Sequence, residues 1–179
     1  MRIIMRREGR SRTKSVLVGA LSGAAGTVAM DVIRYARYKR EGGTARFPGW
    51  ETSVGVHGWD DASAPGLVGR KMVLALTGRN LPDSWARSMV NLVHWMTGAG
   101  WGAAFGARTS QWTKRRDLAL GPALGVGAWL AAYAVLPPME IYEPIWTYDG
   151  RTLSKDLSTH LVFGTMTAAA YVWLTRGTN

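Results

Sequence analysis

Four residues of this chain place protonatable chemistry inside apolar, small-residue surroundings: Asp31, His94, Tyr133 and His160. The two histidines open stretches of one layout, HWMTGAGWGAAF over 94–105 and HLVFGTMTAAAY over 160–171. In each, a glycine follows four residues on, and alanines and an aromatic come after it. Steps of four stay near one face of a helix. By that rule every one of the four shares a stripe with small residues. The stripes read Gly19, Gly23, Thr27, Asp31; then His94, Gly98, Gly102, Gly106; then Gly121, Gly125, Trp129, Tyr133; and His160, Gly164, Ala168. Small side chains let backbones approach closely, which is what holds helices together in lipid. The stripes are expected to face other helices and to turn the polar residue on each one inward.

Asp/His/Tyr chains relay protons, and histidine titrates near neutral pH, so one expectation is a proton or cation path. The leading expectation is instead that the four groups satisfy one another and set helix register, in a protein that acts by helix association as a dimer or accessory subunit. A third is a haem or metal held by His94 and His160, weak because no further membrane histidine supports it; His57 lies in a loop. No cofactor is expected. The chain has no cysteine, which removes disulfides and thiol chemistry. It has no P-loop, and no G-x-G-x-x-G following a strand. Ser84, Ser154 and Ser158 have no base placed beside them by any motif, so enzymatic activity is not expected. Glu51, Asp60, Asp61, Glu140, Glu143 and Asp149 read as solvated loop charges, and the glycines of span two, Gly98, Gly100, Gly102 and Gly106, as packing glycines.

The elements that must position these residues follow from segregation of apolar and charged residues. Mean hydropathy is only -0.05, yet apolar residues gather in four stretches, each near the ~20 residues that cross a bilayer as a helix. The expected fold is all-α: a four-transmembrane-helix bundle with spans at about 15–34, 85–107, 117–137 and 156–175. A basic tail, 1–14, precedes it, and 177–179 form a C-terminal tail. Gly42-Gly43 stops the first helix, and Pro137-Pro138 ends the third. The long connection 42–83, expected to be external, carries a short interfacial helix near 66–77, bounded by Ala64-Pro65 and Gly78. Asp149-Gly150 reads as a turn. A shift of 66 overlays His94 on His160 and Gly98 on Gly164, and a shift of 102 overlays Gly19, Gly23 and Asp31 on Gly121, Gly125 and Tyr133. The bundle thus reads as two duplicated helical hairpins. At ~1.5 Å per residue, all four polar groups lie about 21–25 Å from the basic flanks, in one layer.

Net charge is +10, but its distribution argues against nucleic acid. Arg2, Arg6, Arg7, Arg10, Arg12 and Lys14 precede span one, Arg108 and Lys114–Arg116 follow span two, and Arg176 follows span four. Those places share one side of a four-span protein, so both termini are expected in the cytoplasm. The cluster Arg34, Arg37, Lys39 and Arg40 falls on the other side. The expected partners are the bilayer and, through the span-two glycines, a second copy or another membrane protein.

A glycine-rich first span, NLVHWMTGAGWG, LPPMEIYEP and KDLSTHLVFG together resemble the uncharacterised four-span bacterial inner-membrane proteins of the YagU type. The resemblance covers mainly spans two to four. It implies an integral cytoplasmic-membrane protein, a possible homodimer, loosely associated with acid tolerance, and it carries over no catalytic residue.

Overall fold

Four long helices arise where the small-residue stripes lie. The computed structural model describes residues 12–109 and 114–176, with side chains in the second stretch from 117 onward. Most of the basic tail and the 177–179 tail therefore lie outside the described residues. The helices are α1 (Arg12–Arg40), α2 (Phe47–Glu51), α3 (Ala64–Thr77), α4 (Ala86–Thr109), α5 (Lys114–Ala119), α6 (Gly121–Val135) and α7 (Gly150–Leu174). Among the described residues there is no strand, so the fold is all-helical.

α1 sits at the centre, antiparallel to α4 on one side and to α7 on the other, and α6 packs on the far side of α7. α4 and α6 barely touch, which leaves the bundle open between them. The contacts are backbone on backbone. A methyl on Gly23 would strike the carbonyl oxygen of Gly98, and one on Gly102 would strike that of Gly19. In the second pair, Gly164 lies on Gly121 and Gly125, and Gly125 on the carbonyl of His160. Gly106 likewise lies against Ser15 and Gly19. Gly100 differs from the expectation: nothing lies within 4 Å of where its side chain would be, because it projects away from the stripe.

The interior of the upper and middle bundle is polar and small, and the outside is apolar. Ser15, Ser22, Thr27, Asp31, Thr159 and Thr167 are buried, while Leu21 (65%), Met96 (63%), Leu130 (51%) and Trp173 (66%), one from each long helix, are exposed. Some hydroxyls inside are satisfied locally, Ser22 donating to the carbonyl of Val18 at 2.7 Å and Thr167 to that of Phe163 at 2.8 Å, whereas that of Ser15 has no partner among the described residues. The lower end is closed by Phe105, Ala168 and Tyr171, with Val18, Leu120 and Leu124 packed around them.

Two stretches among the described residues, Arg12–Arg40 and Asp117–Val135, are long and apolar enough to cross a membrane by length and composition. The last helix begins at Gly150, ahead of the span expected from about 156, because Asp149 caps it, its carboxylate accepting from the N–H groups of Arg151 and Thr152. Asp149-Gly150 is therefore a helix entry rather than a free turn. α3 runs from Ala64 to Thr77, with Pro65 in its first turn and Gly78 closing it at φ 68°. It lies on α4, Gly66 against Val90 and Gly69 against Val93 and Met89.

The basic cluster at the upper end of α1 is engaged by the bundle. Arg34 lies 3.5 Å from Asp31, and Arg37 donates to the carbonyl of Lys155 and to Ser158 Oγ at 2.7 and 2.9 Å. Lys155 in turn pairs with Glu41 at 2.9 Å. Cations spent on tying α1 to α7 say little about which side of a membrane they occupy.

Candidate functional site

Asp31 and His94 meet across the α1–α4 contact. The glycines bring these helices so close that His94 Nε2 lies 2.6 Å from Asp31 Oδ2; a carboxylate only accepts, so the imidazole donates. The Asp31 side chain is 3% exposed and that of His94 21%. His160 lies in the second pair of helices. Its Nδ1 donates to the carbonyl of Asp156 at 3.0 Å and lies 3.5 Å from Asp156 Oδ1. Both imidazoles line one cavity of about 500 Å³, set between α4 and α6 and roofed by Ser63–Pro65 and Val68. Its walls are largely apolar (Val93, Trp101, Ala131, Val135), and Arg34, Asp156 and Tyr142 add polar groups beside the hydroxyls of Thr27, Ser63 and Thr97. It stops above the Phe105–Tyr171 layer.

Tyr133 is placed differently from the other three. It is not a cavity wall but packs on Trp129, Tyr142 and Tyr148 at ring separations of 5.2, 5.5 and 5.6 Å, and the charged group that acts on its hydroxyl is Asp156. The cause is register. In the first pair Gly98 faces Gly23 and Thr27; in the second, its counterpart Gly164 faces Gly121 and Gly125. The second pair is slipped by one helical turn, about 5.4 Å. The slip lowers α7 as a whole relative to α6, so His160 falls below Tyr133 and Asp156, four residues earlier, comes down into the place equivalent to that of His94 beside Asp31.

Three polar residues of the site are not among those expected from sequence. Asp156 was legible in principle, standing at i−4 from His160 on the same face. Arg34 stands at i+3 from Asp31 by the same logic. Glu51 was not legible: it comes from α2, an excursion that folds back over the upper end of the bundle. Tyr35 packs on Phe47 and Trp50 at ring separations of 5.1 and 5.5 Å, and Arg87 and Asn91 of α4 both donate to the carbonyl of Thr52, at 2.8 and 3.2 Å. Clamped from both sides, α2 holds Glu51 beside Asp31 and His94. Among the described residues neither Glu51 carboxylate oxygen receives a hydrogen bond, and both are shut off from solvent. Burial, with the Asp31 charge adding to it, pushes the Glu51 carboxyl above its usual range.

No known family, no curated protein and no solved structure matches the chain.

Proposed function

We propose that the protein is a four-span bundle of the bacterial cytoplasmic membrane, with both termini in the cytoplasm, that takes protons or small cations into its outer half through two carboxylate–histidine pairs. The observation that carries this reading is the convergence of Asp31–His94 and Asp156–His160, drawn from three helices, on one cavity. Ionisable groups are costly in lipid and are kept where they face an interior and find partners. The inside-out distribution supports spans in α4 and α7 as well as in the two more apolar stretches, since Met96 and Trp173 would otherwise stand bare in water. Two hairpins with the same order of glycines support the duplication, and kinship with YagU-type proteins belongs to the same reading.

Flux in proteoliposomes tests it. Proton or cation uptake is expected to fall at least tenfold in Asp31→Asn and in His160→Ala. Equal flux in these variants, or none in the parent protein, rejects the reading.

Association with a second copy or another membrane protein is the second reading. The α4 glycine stripe is covered by α1 of the same chain, so this reading draws instead on the apolar faces that carry Gly100 and Gly127, both open to their surroundings. Native mass measurement in detergent decides it, a strictly monomeric species counting against it.

A further inference from the structure

We propose that Asp31, Glu51 and His94 form a binding site for one divalent first-row transition metal ion, of the zinc or manganese class, at the upper end of the α1–α4 pair. Their ligand atoms all lie within 4.8 Å of one another. Two carboxylates and one imidazole suit such an ion: carboxylates favour manganese and magnesium, imidazole favours zinc and its neighbours, and a mixed set selects the borderline metals. Three protein ligands leave coordination positions open, as in sites that exchange water or substrate.

The independent observation is Glu51. A solvent-excluded carboxylate, unpaired among the described residues and set beside a second, almost fully buried carboxylate, is an expensive arrangement. A dication bound between them removes both the repulsion and the missing partners. The neighbouring cation, Arg34, lies 3.5 Å from the other Asp31 oxygen and is half exposed, so it leaves Oδ2 to the site. The α2 clamp, held by Arg87 and Asn91, serves to deliver Glu51 and has no other evident chemistry.

Loading displaces a proton. The 2.6 Å between His94 Nε2 and Asp31 Oδ2 is a hydrogen-bond distance. Two ligands about 2.0–2.1 Å from one metal are separated by roughly 2.9–3.3 Å. The ion therefore takes the place of the shared hydrogen, whose proton passes to Nδ1 of a neutral imidazole or to solvent from an imidazolium, and the two ligands part by a few tenths of an ångström. The site does not depend on translocation through the cavity.

The purified full-length protein in detergent, stripped with chelator and titrated with Zn²⁺ and with Mn²⁺, provides the test. One equivalent per chain is expected, together with a rise in melting temperature on loading. Glu51→Gln and Asp31→Asn are each expected to weaken binding at least about 100-fold, since loss of an outer-shell partner alone costs 10–100-fold. His160→Ala is expected to bind as the parent does. Co²⁺ gives a readout separate from stability: its visible ligand-field bands shift or vanish in Glu51→Gln, whose folding is checked by circular dichroism. No saturable equivalent in the parent, or unchanged affinity and spectrum in Glu51→Gln, overturns the site. Loss of metal binding with flux still abolished by His160→Ala would leave the proton-uptake reading standing, so the two fail separately.

Discussion

At the scale of single residues, Asp31 and His94 form a tightly constrained pair. The carboxylate is buried against two helices, and the imidazole donates to it at 2.6 Å. Removing one partner strands the other, whereas removing both leaves an apolar contact of similar shape. Asp31→Leu is expected to cost about 1–3 kcal/mol of stability. Asp31→Leu combined with His94→Leu should cost clearly less than the sum of the two single changes. A double-mutant cycle from thermal or denaturant melts measures the coupling, and strict additivity would mean the two side chains act independently. The expectation that Asp31, His94, Tyr133 and His160 turn inward came from stripes of period four. Their immediate partners did not: Arg34 and Asp156 are near in sequence, but Glu51 is delivered by a separate helix.

At the scale of elements, the glycines decide which helices can touch. Gly23→Val and Gly102→Val each push a side chain into a facing backbone, where only a separation of helices gives relief. Both are expected to destabilise by more than about 4 kcal/mol or to abolish the folded species. Gly100→Val, with open space around it, should change stability by about 0.5 kcal/mol or less. Gel filtration and melting in detergent separate the outcomes.

The entry to α7 has its own test. Asp149 caps the helix with two backbone hydrogen bonds and one from Thr152 Oγ1 at 2.7 Å. Those bonds, Thr152 first, hold its carboxyl below the usual range. A carboxyl whose folded pKa is depressed adds stability above its unfolded value, about 3.9, and loses it as pH falls through the folded one. Asp149→Ala is therefore expected to lower the melting temperature by a few degrees at pH 7, with the gap closing below about pH 4. A gap independent of pH would assign the effect to something other than the ionised cap.

At the scale of the whole molecule, the proposed four-span topology predicts which positions face which side. The chain has no cysteine, so single cysteines report without background. Trp146→Cys, between α6 and α7 and 82% exposed, is expected to react with a membrane-impermeant maleimide in intact cells. Arg176→Cys, at the other end of the bundle, should react only after permeabilisation. The reverse pattern would invert the topology, and equal labelling of both in intact cells would remove it.

Helix identity and helix face were readable from the chain because both are local. A period near four, glycine at helix ends and proline at their starts act over a few residues, and they marked a helix near 66–77, which runs from Ala64 to Thr77, together with the four long segments and the stripes. Pairing register is not local. It depends on how whole stripes settle against each other, and a slip of one turn keeps glycine against glycine while changing which glycines and which polar groups meet. That slip separates Tyr133 from His160 and gives Asp156 its place. Glu51 arrives by a chain excursion whose return is fixed by Tyr35, Arg87 and Asn91, all distant from it in sequence. The polar residues and their inward direction were properties of the sequence. The meeting of both histidines on one cavity, and of Asp31, Glu51 and His94 in one cluster, was decided only when helices and connections packed together.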